Sequence, residues 1–146
     1  MSTRESIPHS ETLKVHDRCL CLHAQRAARA LARRFDDAFR PLGITSGQFS
    51  LLMALNRPEP PRLGDVAAAL AMDRTTLTAN LKPLERRRLV AVRADRDDRR
   101  IRRLALTAAG RALLARALPL WRRTQAACEA LLADADRTCA DLRALG

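Results

Sequence analysis

Three groups of residues in this sequence have types and spacings that could do chemistry. His16, Cys19 and His23 recur at steps of three and four, close to one face of a helix, while Cys21 points roughly 160° from Cys19. Two of the three could share an ion. Scattered polar residues near a frayed helix start explain them better, so no metal site is assigned. The second group is Thr75, Thr78, Ala79, Lys82 and Arg86, which at 100° per residue lie opposite the apolar positions Leu77, Leu81 and Leu84. A threonine bonds a base edge or touches a thymine methyl, Ala79 permits close approach, and Lys82 reaches guanine or phosphate. Arg74, beside Asp73, suits a phosphate or a flanking base, and Thr76 joins the same DNA-binding candidates. The third group is DRDDRR (residues 95–100), where Arg96 and Arg99 near a loop tip could enter a narrow minor groove. Asp97 and Asp98 would orient neighbouring arginines, or simply lie in a solvated turn.

Catalytic patterns are missing. There is no nucleophile elbow and no phosphate loop, the chain has no Tyr, and its three histidines are at positions 9, 16 and 23. The expectation is a non-enzyme without a cofactor. Lys and Arg total 27 against 16 acidic residues, giving a formal net charge of +11 and a sequence pI of about 11.3. That charge favours a polyanionic partner. Only Lys14 and Lys82 are lysine, so coding bias can explain the choice of Arg over Lys but not the excess over acids. The 146 residues, 47% hydrophobic and 29% charged, suit one globular domain. No run of about 18 apolar residues exists, and MSTRESIPHSE lacks a signal-peptide core, so a cytoplasmic protein without membrane contact is expected. Cys19, Cys21, Cys128 and Cys139 follow no zinc or redox spacing and are expected to be reduced.

Periodicity supplies the elements that must hold these residues. Residues 1–11, with Pro8, are expected to form a flexible arm, and 12–146 a single domain. From 13 to 40, Leu20, Ala24, Ala27, Leu31, Phe35 and Ala38 mark one long amphipathic helix closed by Pro41 and Gly43. Thr45 and Gln48 match a capping box, opening a second helix through Phe49, Leu52, Met53 and Leu55. Leu63, Val66 and Leu70 mark a short third helix, and Asp73 caps a fourth after the tight turn at Ala71, Met72 and Asp73. Together these make a helix-turn-helix. Residues 89–94 and 101–106 read as two strands around DRDDRR, a hairpin that would be the wing. Thr107 caps a long fifth helix through Leu114, Leu118 and Trp121, bent or interrupted near Pro119, and 133–145 gives a sixth. The fold class is therefore mainly α with a small β-hairpin. It has a winged-helix lobe at 44–106 and outer helices at 12–40 and 107–146, whose surplus apolar surface calls for a second copy.

From 42 to 116 the sequence resembles the MarR family of bacterial transcription regulators. The likeness runs through LGITSGQFSLLMAL, then DRTTLTANLKPLE followed by LV, DRDDRR and LTAAGRALL, in that order and spacing. It implies a homodimeric repressor that binds a pseudo-palindromic operator in double-stranded DNA. Release would come from a small aromatic or anionic ligand held between the dimerisation helices and the DNA-reading lobe. Two residues depart from the family pattern. Arg88 replaces a Gly expected in a left-handed helix cap, and Pro83 lies inside the recognition helix, where a local kink is expected. CLCLHAQRAARAL further resembles the first helix of the branch that senses organic hydroperoxides, with Cys21 at the place of its reactive cysteine. His23, Arg18 and Arg26 would favour a thiolate there. That branch surrounds its cysteine with tyrosines, which this chain lacks.

Overall fold

Side chains that satisfy the first free amides mark where several of the chain's helices begin. In the computed structural model, which describes residues 6–146, the Thr45 hydroxyl accepts from the amide of Gln48 while the Gln48 side chain accepts from the amide of Thr45. This box opens α3 (Ser46–Ala54), as its spacing predicts. Asp73 accepts from the amide of Thr76 at 2.7 Å to open α5 (Arg74–Arg86), and α4 (Leu63–Ala69) precedes it. The Thr107 hydroxyl accepts from the amide of Gly110 at 3.0 Å and opens α6 (Ala108–Glu129). Asp134 does the same for α7 (Ala135–Leu145). Between α5 and α6 lies the hairpin of β1 (Val90–Ala94) and β2 (Arg102–Leu106), paired antiparallel from Val90 opposite Leu106 to Ala94 opposite Arg102.

The N-terminal region differs from the single helix expected there. Residues 1–5 of the proposed arm lie outside the described residues, and helix begins at His9 rather than near Thr12. It runs as α1 (His9–Arg18), breaks at Cys19, and resumes as α2 (Leu20–Phe39). Cys19 takes an extended backbone (φ −71°, ψ 107°), and its thiol accepts from the amide of Leu22 at 3.5 Å. The break costs little because α1 buries no residue against the rest of its chain. Pro119, by contrast, interrupts nothing: α6 continues from Ala108 to Glu129 around it, as α5 continues around Pro83. One N–H is lost at each, and the packing on both sides holds the helix together.

The core gathers Phe39, Ile44, Phe49, Leu52, Val66, Leu77, Leu81, Leu84, Leu104, Leu113, Leu114 and Ala117. Phe39 and Phe49 stack with ring centroids 4.7 Å apart, which joins α2 to α3. From the expected stripe of α2, Leu20, Ala24, Ala27 and Leu31 are exposed, and only Phe35 and Ala38 are half-buried. The helix outruns its own lobe, and the residue it buries fully within one chain is Phe39, at its last turn.

Two helix ends turn through left-handed residues without glycine. After α4, the amide of Met72 bonds the carbonyl of Ala67 and that of Ala71 bonds Ala68, with Ala71 at φ +49°. After α5 the pattern repeats: Leu89 bonds Leu84, Arg88 bonds Glu85, and Arg88 lies at φ +57°. Both are Schellman closures, and in each a Cβ stands where glycine would be unstrained. Arg88 thus occupies the left-handed cap that the family resemblance implies. A true glycine is indispensable at Gly110, where an added Cβ would lie 2.1 Å from the carbonyl oxygen of Leu89 and 3.3 Å from Leu106 Cδ2. That close approach seats α6 on the base of the wing.

Two changes test these constraints by urea unfolding. Gly110→Ala is expected to lower stability by about 3 kcal/mol, because backbone must move to admit one methyl. Arg88→Gly should raise it by up to about 1 kcal/mol, since the left-handed penalty disappears.

Candidate nucleic-acid interface

The helix-turn-helix consists of α4, the strained turn at Ala71 and α5. Leu77, Leu81 and Leu84 are buried, so the opposite side of α5 faces solvent. Thr75, Thr78, Ala79, Lys82 and Arg86 are all exposed on that side, and Arg74 and Thr76 are exposed at the first turn. Their hydrogen bonds divide the threonines into different chemical roles. Thr76 donates its hydroxyl to Asp73 Oδ2 at 2.7 Å, so this hydroxyl works in the cap. Thr78 donates to the carbonyl of Arg74 at 2.8 Å, which leaves its methyl and oxygen lone pairs to face outward. These two bonds, together with that to the Thr76 amide, fix the first turn before any ligand arrives. The carboxyl of Asp73 is held below its usual range chiefly by the backbone amide of Thr76 and then by its hydroxyl.

Anchoring of the far end of α5 falls to Arg87, which donates to the carbonyls of Gly43 at 2.7 Å and Leu42 at 3.2 Å. In the same segment, Asp36 of α2 accepts from the amide of Ser46 at 2.6 Å. These long-range bonds lock the recognition helix and α3 to the end of α2.

The wing is shaped by a residue that the sequence reading passed over. Asp95 is buried; its Oδ2 accepts from the amides of Asp97 at 3.1 Å and Asp98 at 3.2 Å, and its Oδ1 accepts from Arg103 Nε. Arg103 also donates to the carbonyl of Pro60 at 2.9 Å, and the amide of Leu104 bonds the carbonyl of Pro61 at 2.9 Å. The wing is therefore tied to the segment before α4. The hydrogen bond from Arg103 is the main reason that the Asp95 carboxyl lies below the ordinary carboxylate range. The turn from Asp98 to Ile101, closed by a 3.0 Å bond, carries Arg99 and Arg100 at its tip, with Arg96 exposed beside it. Asp98 pairs with Arg100 through two side-chain bonds of 3.0 and 3.1 Å. Among the described residues Arg96 and Arg99 make no ion pair, and Asp97 orients neither of them.

The signal that could have revealed Asp95 is the position of Arg103. It shares strand parity with Ala105, on the half-buried side, where a guanidinium needs a carboxylate. At the other candidate group, Cys19 caps α2, the imidazole of His16 contacts Asp17, and that of His23 contacts the carbonyl of Asp17. Among the described residues, no three His, Cys, Asp or Glu side chains converge to hold a metal. Cys21 is exposed in the first turn of α2 and accepts from Gln25 Nε2 at 3.3 Å.

A short helix, a tight turn, a second helix with an exposed polar face and a basic two-stranded wing define a winged helix-turn-helix DNA reader. The MarR family profile matches residues 42–101. MosR, a transcriptional regulator of M. tuberculosis solved in complex with DNA, is 41% identical. That alignment covers 88% of this chain and 93% of MosR, with a TM-score of 0.81. The transcriptional repressor CouR, bound to a 23-mer DNA duplex, is 30% identical over 97% of this chain and 96% of its own, at a TM-score of 0.77. BpsR of Bordetella bronchiseptica, whose DNA binding is regulated by 6-hydroxynicotinic acid, is 29% identical. Its alignment covers 86% of this chain and 91% of BpsR, at a TM-score of 0.76. No curated protein matches the chain. The chain belongs to the MarR family, and it is accordingly a DNA-binding transcriptional regulator rather than an enzyme, in a family that acts as dimers. Among the described residues no helix is long and apolar enough to cross a membrane.

Because the Asp95 carboxyl is depressed in the folded protein, the stability it contributes is fully present above the unfolded value of about 3.9 and is lost as pH falls through the folded one. Thermal melting followed by circular dichroism should therefore be flat in its Asp95 contribution above about pH 5 and decline below about pH 4. Asp95→Asn should lower the melting temperature at neutral pH and shrink that acid-dependent loss.

Proposed function

We propose that the protein is a repressor that acts in the cytoplasm as a homodimer, grips a pseudo-palindromic operator with paired α5 helices and wings, and lets go when a small aromatic or anionic ligand binds. The observation that carries the ligand reading is an open cleft of about 470 Å³ where α3 and α4 meet α6. Phe49, Met53, Ala54, Leu70, Leu118 and Trp121 give it apolar walls, and Arg57 stands at its edge. Aromatic faces and one guanidinium suit a ring that bears an acid. The cleft joins the DNA-reading lobe to an outer helix, so a ligand wedged there would change the spacing of paired recognition helices. The regulation of BpsR by 6-hydroxynicotinic acid offers a precedent of that chemistry.

Support for the dimer comes from what one chain leaves uncovered. No residue of α1 or α7 is buried, and Leu13, Val15, Leu20, Leu131, Leu142 and Leu145 all face solvent. Packing of residues 12–40 and 107–146 against a second copy removes that surface from water. The two recognition helices then enter successive major grooves, with half-site centres about 10 base pairs apart.

A second reading rests on Cys21, which is exposed and receives a hydrogen bond from Gln25. Attack of its thiolate on a hydroperoxide would leave a sulfenic acid and release an alcohol, placing polar bulk where the outer helices pair. Operator binding would then fall after mild hydroperoxide treatment in wild type but not in Cys21→Ser. Equal responses in both proteins would leave Cys21 as packing.

Footprinting on DNA upstream of the protein's own gene should show one protected pseudo-palindrome, released by an aromatic acid. Trp121 is the chain's sole tryptophan and lines the cleft, so the same acid should change intrinsic fluorescence. Arg57→Ala should weaken anionic ligands and spare neutral ones. In the interface, Lys82→Ala and Thr75→Ala should each cost about 1–3 kcal/mol and alter which bases are preferred. Arg99→Ala should weaken binding evenly across sequences. Unchanged affinity and preference in all three would show that α5 and the wing are not the reading elements.

A further inference from the structure

A cleft of about 700 Å³ lies between the helix-turn-helix and the wing. Arg62, Gly64, Asp65, Arg74, Arg100 and Arg102 line it, together with Leu63, Thr78 and Ile101. Four guanidinium groups from three separate segments thus surround one space that holds a single carboxylate. Arg100 is engaged with Asp98. Arg62, Arg74 and Arg102 are exposed and, among the described residues, make no ion pair.

Each of these three cations is held in place by local structure. Arg62 forms a β-bridge with Arg103, and its neighbour Pro61 accepts from the amide of Leu104, so the residue moves with β2. Arg102 begins β2 opposite Ala94. Arg74 is the first residue of α5, and its guanidinium lies against the start of α4: a Cβ on Gly64 would stand 2.8 Å from Arg74 Nη2. The positive charge of Arg62 also helps, as the smallest contribution, to hold the Asp98 carboxyl below its usual range, after the hydrogen bonds from Arg100.

Geometry names the occupant. An element in the major groove and an element in the neighbouring minor groove necessarily straddle the one sugar–phosphate strand that separates those grooves. With the exposed face of α5 in the first groove and Arg96 and Arg99 of the wing in the second, that strand crosses the space between α5 and the wing. This space is the arginine-lined cleft. Resting on the DNA reading given above, we propose that Arg62, Arg74 and Arg102 form a clamp for this inter-groove strand, with each guanidinium on a phosphate. The clamp reads no bases. It sets the register from which α5 and the wing do so. Arg62 and Arg102 thereby join the interface, although they lie outside both the recognition helix and the wing tip.

The test uses the full-length protein and a random-sequence duplex of about three helical turns, so it does not depend on knowing the operator. Binding is titrated against salt for wild type, Arg62→Gln, Arg102→Gln and Arg116→Gln, the last an exposed arginine of α6 outside the cleft. Each phosphate contact contributes about 0.9 to the slope of log K against log salt. Arg62→Gln and Arg102→Gln should each reduce that slope by about one unit, whereas Arg116→Gln should leave it unchanged. Arg62→Lys, which keeps the charge, should restore the slope and so separates a lost contact from a loosened wing. Cleft variants that melt like wild type and keep its slope would overturn the clamp while leaving DNA binding by α5 and the wing intact. Cleft variants that change base preference would overturn it too, by making these residues base readers. If wild type itself shows no salt-dependent affinity for duplex, the DNA reading falls, and the clamp with it.

Discussion

Burial of Leu77, Leu81 and Leu84 sets the rotation of α5 about its own axis, and everything presented to DNA follows from that rotation. Each of the three is at most 2% exposed, so each contributes about 1.5–3 kcal/mol of apolar burial. A turn of the helix by one residue position would bring threonine hydroxyls or the Lys82 ammonium into the core, where they have no partners. The helix therefore has one acceptable orientation, in which Thr75, Thr78, Ala79, Lys82 and Arg86 face away from the lobe. The remaining contacts act on the ends. Asp73 holds the first turn, while Arg87 holds the last turn to the carbonyls of Leu42 and Gly43.

The wing obeys a different constraint. Leucine burial stops at the base of the hairpin, and beyond it Arg93 stands directly opposite Arg103, a pairing of like charges that disfavours the ladder. Asp95 resolves the conflict by taking Arg103 and the two turn amides at once. The wing thus owes its shape to a polar network, and the recognition helix owes its position to an apolar ridge. One part of the interface responds to acid and salt, whereas the other responds mainly to loss of side-chain volume.

Elements governed by local rules were readable in the sequence. The capping box at Thr45, the Asp73 and Thr107 caps and the leucine face of α5 depend on residues a few positions apart, where spacing determines geometry, whereas the left-handed Arg88 was implied by the family resemblance. The readings that departed from the structure concern surroundings rather than spacing. The break at Cys19 goes with an α1 that buries no residue among those described, and the exposure of Leu20, Ala24, Ala27 and Leu31 with an α2 that extends past its lobe. Pro119 marks no break, since packing around α6 outweighs one missing N–H. Arg62, Asp95 and Arg103 were passed over for a related reason: their partners come from other segments, Arg103 reaching Pro60 across 43 positions. Thr76, a candidate reader by its type, also bonds into the cap through its hydroxyl.

The scarcity of lysine also has a chemical consequence. Arginine stays protonated at every pH a cell reaches, and its guanidinium is not a substrate for acetylation. A surface that draws its positive charge almost wholly from arginine therefore has nearly constant electrostatic attraction for a polyanion, whatever the metabolic state. Only Lys14, on the outlying α1, and Lys82, on the exposed face of α5, escape that rule. Neutralising the Lys82 amine would remove one positive charge from the exposed face of α5 and leave the surrounding cationic field intact.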